Sequence, residues 1–264
     1  MQALLDAIAQ ATPGQDACRI FHGRGGLYPG CEHLSLDWYA PVWVLTSFQP
    51  LADAELEAVN GALAARPEPL NWVYQCRQAG QGRSDTRLMA GSVPEPHTVS
   101  EQGARYHVHV LKGQNHGLFL DMAGGRQWLR DQAQGQRVLN LFAYTCAFSV
   151  AALQGGAAEV VNLDMAASAL ATGQQNHQLN RLQSARFLAH DLFKSWGKVK
   201  RLGPYDTVVA DPPSYQKGSF VASKDYARLV RRLPELLSPG GQALLCLNAP
   251  ELGSAFLQEV VATE

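Results

Sequence analysis

The stretch RVLNLFAYTCAFSVAALQGGAAEVVNLD, residues 137–164, decides the fold. RVLNLF (137–142) reads as a buried strand. FSVAALQGG (148–156) reads as a helix that stops on glycines, the residues that most easily leave a helix. EVVNLD (159–164) is a second strand, and it ends in an acid. Strand, helix and strand in so short a span make a βαβ unit, which imposes parallel pairing. The pattern repeats downstream. AASALATGQQNHQLN (166–180) is helical, ARFLAHD (185–191) is a strand ending in an acid, and YDTVVADPP (205–213) is a strand stopped by two prolines. DYARLVRRLPELL (225–237) is a helix that Pro234 should kink, QALLCLN (242–248) is a strand, and ELGSAFLQEVV begins another helix. A polar helix at 124–134 leads in. The strands lack in/out alternation, as expected for a sheet covered on both faces. The expectation for residues 101–264 is therefore an α/β domain of Rossmann-like type, a mostly parallel sheet with helices on both faces.

Residues 1–100 have a different grain and are expected to form a small α+β domain. LLDAIAQ (4–10) and ADAELEAVNGALAAR (52–66) carry helical spacing. RIF (19–21), HLSLDWY (33–39), PVWVLTSF (41–48) and LNWVYQCR (70–77) read as strands. GRGGLYPGC (23–31) is a loop, and its Arg24 could touch a ligand, although such loops usually only turn. Residues 78–98, with Gly80, Gly82, Gly91, Pro94 and Pro96, look like a linker. RYHVHVL (105–111) and GLFLDM (117–122) follow.

Composition sets wide limits. The formal net charge is −1, with 22 basic and 23 acidic side chains, which excludes a histone-like or acidic-tail protein. The balance hides a gradient: residues 1–100 carry net −4 and residues 101–264 net +3. No apolar run reaches the length needed to span a bilayer, and MQALLDAIAQATPGQD does not read as a signal peptide. Five scattered cysteines without a C-x-x-C argue against a disulfide framework and a structural zinc site, so a cytoplasmic location is expected. His107 and His109 share a strand face without an acid or cysteine partner, so no metal is expected.

The chemistry gathers at strand ends. In an open parallel sheet, ligands bind beyond the carboxyl ends of the strands. Those ends hold Asn140, Phe142 and Ala143, then Asp164, Asp191 and Asp211. Acids after the second and third strands suit an adenosine: the first can accept ribose hydroxyls, the second an adenine amino group. The loop after the first strand contains no glycine, so the G-x-G-x-x-G cradle for a pyrophosphate is missing. A zwitterionic amino-acid tail could instead be held by Thr145, Ser149 and backbone groups. After Asp211, two prolines stiffen the backbone and leave its carbonyls without local donors. Such a turn can orient a nitrogen nucleophile, and an aromatic at Tyr215 can stack on a flipped-out base.

These motifs resemble a known family. NLFAYTCAFSVAA, NLD, HD and DPPSYQKGSF are similar to the motifs of class I S-adenosylmethionine (SAM)-dependent methyltransferases. More narrowly, they resemble 23S ribosomal RNA methyltransferases whose motifs read N-x-F-x-Y-T-G-x-F and D-P-P-x-F. GQNHGLFLDMAGGRQWL (113–129) is similar to the G-Q-K-T-G-x-F-L-D-x-R segment of that family. The resemblance is strong over about 103–250 and weak over 18–100, and a PUA domain is not recognisable. It implies that Asn140, Phe142, Ala143 and Thr145 line the methionine and ribose side of SAM. It further implies that Asp164 takes the ribose hydroxyls, Met165 packs on adenine, and Asp191 and Leu192 meet the adenine edge. Phe119 and Asp121 would cross over the cofactor. Asp211, Pro212, Pro213 and Tyr215 would form the target-base site. Cys146 departs from the pattern, standing where the family has glycine.

The implied activity is methyl transfer from SAM to a base nitrogen of RNA, expected to be 23S ribosomal RNA. A carbon target would need a cysteine nucleophile. Ser214 and Ala249 occupy the two places where relatives carry one, and Cys246 reads as core. Two alternatives stay open: a SAM-dependent methyltransferase acting on protein, DNA or a small molecule, and a non-catalytic RNA-binding module. Lys194, Lys198, Lys200 and Arg201, with Trp196 among them, and Lys217, Lys224, Arg228, Arg231 and Arg232 either face phosphates or form a solvated surface. The methyltransferase sheet normally closes with an antiparallel hairpin after its fifth strand. Here the chain stops before it, so the fifth strand is expected to be an open edge. Truncation is the favoured explanation, with a partner copy in a homodimer as the other.

Overall fold

The computed structural model describes residues 1–77, 84–213, 220–248 and 252–264, together with the backbone of 215 and 216. The chain divides into two compact units, Met1–Ala123 and Gly124–Glu264.

In the first unit, helix α1 (Gln2–Gln10) precedes strands β1 (Cys18–His22), β2 (Leu34–Tyr39) and β3 (Val42–Ser47), helix α2 (Asp53–Ala64), and strands β4 (Trp72–Arg77) and β5 (Ser84–Ala90). The strands form one sheet in sequence order. Only β3 and β4, bridged by α2, are parallel. Leu4 and Ile8 of α1 lie one turn apart and pack with Leu56, Val59 and Leu63 of α2 against Trp43, Leu45, Trp72 and Tyr74 of the sheet. A hairpin follows, β6 (His97–Glu101) with β7 (Ala104–Val108). Its turn residues Gln102 and Gly103 both have positive φ, as a two-residue hairpin turn requires.

Several expectations change here. The expected linker contains β5, paired antiparallel to β4, while its residues 78–83, including Gly80 and Gly82, lie outside the described residues. GLFLDM, which the sequence left without an element, contains a 3-10 turn at Leu120–Met122. The boundary expected near residue 100 falls after Ala123. The physical reason is that Ser100 bridges to Asp16, and the Leu118 carbonyl accepts a 2.8 Å hydrogen bond from the Tyr39 hydroxyl. Both contacts tie the hairpin and its sequel to the first unit.

The second unit is α/β. Helix α3 (Ala123–Gln132) leads into β8 (Arg137–Leu141), α4 (Ala147–Gln154), β9 (Glu159–Asp164), α5 (Ala167–Leu179), β10 (Ala185–Ala189), α6 (Leu192–Leu202) and β11 (Tyr205–Ala210). Two two-residue strands, β12 (Tyr215–Gln216) and β13 (Phe220–Val221), pair antiparallel after the prolines. Then come α7 (Ala222–Val230), α8 (Leu233–Leu236), β14 (Leu237–Leu245) and α9 (Ser254–Thr263). The five strands of the main sheet run parallel in the order β10-β9-β8-β11-β14. The order reverses between β8 and β11, which opens a crevice at their carboxyl ends. The interior strands β8, β9 and β11 are buried almost throughout, and β10 and β14 are only half-buried, as edges should be. Among the described strands, β14 has no neighbour on its outer side. Pro234 does not kink one long helix. It sits in the first turn of α8, where its missing N–H costs nothing, and α7 has already ended at Val230.

Candidate active site

The loop between β8 and α4 is held in an unusual backbone conformation. Phe142, Tyr144 and Cys146 have φ of 56°, 47° and 62°, in the left-handed region that favours glycine. Three bonds fix it. The Ala143 N–H donates to the Leu163 carbonyl at 3.0 Å and the Cys146 N–H to the Ala143 carbonyl at 2.7 Å. The Tyr144 N–H donates to Asp164 Oδ2 at 2.8 Å. The Asp164 side chain also caps its own turn, with Oδ1 accepting from the Ala166 N–H at 2.8 Å. One carboxylate thus joins the ends of β8 and β9 and still has lone pairs to offer, because two carboxylate oxygens accept about four bonds. Met165, beside it, is 46% exposed and presents an apolar face.

Cys146 is fully buried at the start of α4. Its side chain fills the space over Gly173 of α5, where an added Cβ would lie 2.5 Å from Sγ. Burial, and then the Asp164 charge, push the thiol well above its usual range, so it stays protonated.

Below the loop runs a chain of buried polar groups. Asn140 Nδ2 donates to Asn162 Oδ1 at 2.9 Å, and Asn162 Nδ2 donates to Ser149 Oγ at 3.0 Å. Ser149 Oγ meets His177 Nε2 at 2.8 Å, and His177 Nδ1 meets the Gly173 carbonyl at 2.7 Å. A carbonyl can only accept, so Nδ1 carries the proton and Nε2 accepts from the serine hydroxyl. Burial lowers the His177 pKa, which keeps this neutral tautomer. Beside it, Asn176 Nδ2 donates to the Thr145 carbonyl at 3.0 Å, inside the loop itself.

Two residues expected at the site lie in this buried chain. Ser149 does not face a ligand, because its hydroxyl is buried between His177 and Asn162. Asn140 is also buried, and its amide supports the loop from within the sheet. Asn162, Asn176 and His177 were missed. In the sequence, QQNHQLN looks like a solvent-facing helix end, and only the packing of α5 under the loop buries its Asn176 and His177.

The other expected residues are placed as follows. Ala143 and Thr145 are buried in the loop. The Phe142 ring meets Phe220 edge-on at 5.2 Å. Asp191 is the N-cap of α6, with Oδ1 accepting from the Phe193 N–H at 2.9 Å and Oδ2 lying 3.4 Å from Lys194 Nζ. Leu192 points into the core. Asp211 and Pro213 are half-buried and Pro212 is buried, just past the end of β11. Ser214, Lys217, Ala249 and the Tyr215 side chain lie outside the described residues. Cys246 is core, and its carbonyl accepts from the Tyr226 hydroxyl of α7. Phe119 and Asp121 belong to the first unit. There Phe119 is exposed, and Asp121 lies 4.0 Å from Arg19 Nη1.

The donor set suits an adenosine with a zwitterionic tail. Asp164 offers a pre-oriented carboxylate and Met165 an apolar platform. The N-terminus of α4 has no side-chain cap, so its N–H groups can meet a carboxylate. A family model described as S-adenosylmethionine-dependent methyltransferase matches residues 18–264. The chain belongs to that family. S-adenosylmethionine is the cofactor the family uses, and the residues around Asp164 fit it. The chain is 30% identical over 245 residues to ribosomal RNA large subunit methyltransferase I of Aeromonas salmonicida, covering 88% of this chain and 62% of that one. It is 30% identical to the enzyme of the same name from Photobacterium profundum, with 99% and 68% covered. The solved structure of SMU.776, assigned as a methyltransferase and complexed with SAH, superposes with a TM-score of 0.83 at 27% identity, covering 98% of this chain and 68% of that one. The chain thus spans about three fifths of the length of the Aeromonas relative it matches.

Proposed function

We propose that this methyltransferase-family chain transfers a methyl group from SAM to a base nitrogen of RNA, with large-subunit ribosomal RNA as the substrate. The observation that carries the reading is the presence, at the carboxyl ends of one parallel sheet, of a carboxylate oriented for ribose after β9 and of the D-P-P turn after β11, with β8 between them. The names of the relatives supply the substrate class. SAM brings an electrophilic methyl on a positively charged sulfur. The protein's task is then to hold the acceptor in line, which is most of the barrier in such a displacement. Asp211 accepts from the amino or ring N–H of the target and aims its lone pair, while Pro212 and Pro213 keep the turn rigid. Tyr226, held protonated by burial, ties α7 to the chain leaving β14. The first unit, Met1–Ala123, assists in binding the RNA.

Five free cysteines support a reducing, cytoplasmic setting, and no described helix is long and apolar enough to cross a membrane. Nucleoside mass spectrometry of ribosomal RNA from cells lacking the protein tests the reading. One methylated base should vanish and return on complementation. An unchanged nucleoside profile rejects it.

A further inference from the structure

A second surface of the methyltransferase unit has the character of a nucleic-acid track. Helices α6 and α7, with the turn that leads from α7 to α8, carry eight basic side chains: Lys194, Lys198, Lys200, Arg201, Lys224, Arg228, Arg231 and Arg232. Against them stand Asp191, the cap of α6, Asp225, Glu235 and Glu264, the last paired with Arg231, in a chain whose formal net charge is −1. Between the helices lies a cleft of about 460 Å³ lined by Phe193, Trp196, Arg228, Arg231, Arg232 and Glu235. A second hollow of about 300 Å³ shares Trp196, Arg232 and Glu235 with it and adds Lys200.

The aromatic content is ordered. The Arg228 guanidinium lies 4.1 Å over the Phe193 ring. Phe193 stacks on Phe220 at 6.3 Å and meets Trp196 edge-on at 6.0 Å. Phe220 belongs to β13, whose partner β12 follows the D-P-P turn, and it touches Phe142 of the cofactor loop. A row of rings therefore leads from the candidate active site into the basic cleft.

The cations pair with carboxylates of differing exposure: Arg228 with Asp225 at 2.7 Å and Arg231 with Glu264 at 2.6 Å, both acids largely buried, and Lys200 and Arg232 with the more exposed Glu235. Arg232 Nη1 lies 2.8 Å from Glu235 Oε1, and Lys200 Nζ lies 3.1 Å from Oε2 of the same side chain. Such pairs are weak in water and exchange readily. One oxyanion held between a guanidinium and an ammonium is also the geometry a phosphate would adopt.

We infer that this cleft binds single-stranded RNA flanking the methylated base, with a base stacked on Trp196 and phosphates on Arg228, Arg232 and Lys200. The inference rests on the RNA reading above and adds to it a path for the strand outside the catalytic crevice. Aromatic rings give sequence-tolerant stacking, and the basic side chains give affinity that falls with salt. An acidic protein segment would use the charges but would not need a half-exposed tryptophan.

The test uses the full chain and a fluorescently labelled oligouridine, read by anisotropy. Arg228→Glu/Arg232→Glu should weaken binding by at least about tenfold and reduce its salt dependence. Trp196→Leu should weaken it by about fivefold or more, and Trp196→Phe by less, because a ring remains. Glu235→Gln, which removes the competing anion, should tighten it. Affinity for S-adenosylhomocysteine should be unchanged in all four, since none of these residues lies at the cofactor loop. Variants that bind oligouridine like the wild type overturn the cleft while leaving the RNA reading intact. Polyglutamate competing as well as unlabelled oligouridine also overturns it, in favour of an acidic protein partner. A wild-type chain that binds no RNA rejects the RNA reading, and the cleft assignment with it.

Discussion

Asp164 shows how much one side chain can be asked to do. Its two oxygens hold the Tyr144 and Ala166 N–H groups, so the carboxylate is fixed before any ligand arrives. Truncation removes both an acceptor for ribose and the clamp on a left-handed loop residue. Asp164→Ala should therefore weaken binding of S-adenosylhomocysteine by at least about tenfold, the order of a lost charge-assisted hydrogen bond. Calorimetry showing unchanged affinity would remove Asp164 from the cofactor site. Asp211→Ala should behave differently, reducing methyl transfer far more than cofactor affinity, because its proposed partner is the target base. Equal losses of both would reject that role. Cys146 poses the opposite question, since it occupies a conformation made for glycine. A left-handed φ costs an ordinary residue roughly 1–2 kcal/mol. Cys146→Ala keeps that strain and loses the buried sulfur, at about 1 kcal/mol. Cys146→Gly loses more volume but relieves the strain. The glycine variant should be at least as stable as the alanine variant in urea titration, the reverse of the order at an ordinary helix position.

At the level of elements, Cys146 is compensated from α5. Gly173 is small where the thiol is large, and an alanine there would press a methyl against Sγ at 2.5 Å. Gly173→Ala alone should cost about 1–3 kcal/mol by overpacking. In the Cys146→Gly background the obstructing atoms are gone and most of that cost should disappear. Additive losses in a double-mutant cycle would show that the two positions are independent. This pairing explains what could and could not be read from the sequence. The strands and the acids at their ends were legible, because a βαβ rhythm and a residue type at a strand terminus are local signals. The glycine-free loop was legible as a departure, but its remedy was not, because Gly173 lies a helix, a strand and half a second helix away. The buried chain from Asn140 to His177 was hidden for the same reason: polar residues on a helix look solvated until a partner covers them. Pro234 was misread because proline marks either a kink or a helix start, and only the exit of α7 at Val230 decides which. The β6–β7 hairpin was overlooked because Gln-Gly is a weaker turn signal than Asn-Gly.

The molecule as a whole keeps neutral histidines inside both units, and this makes its stability depend on mild acid. In the first unit, burial, helped by the Arg77 charge, lowers His116 to about 3. In the second, burial lowers His177, which must also stay neutral to accept from Ser149. For each, the unfolded chain takes up a proton near pH 6.5 while the folded chain resists it. The unfolded state therefore binds more protons below pH 6.5, and stability falls as the pH drops from there toward the lowered folded value. For His116 the window runs from 6.5 down to about 3. By pH 5 the loss from this one group amounts to about 2 kcal/mol. The carboxylates held below their usual range, Glu32, Glu68, Glu159, Asp206 and Glu235, contribute only at lower pH, because their unfolded forms stay ionised until about pH 4 to 4.5. Between pH 7 and 5 the histidines should dominate. Urea denaturation across that range should show each unit losing stability. His116→Asn should flatten the slope for the first unit and His177→Gln that for the second, each variant by about one proton. A variant that loses stability at pH 7 yet keeps the full wild-type slope would show that the histidine concerned already titrates normally in the folded protein.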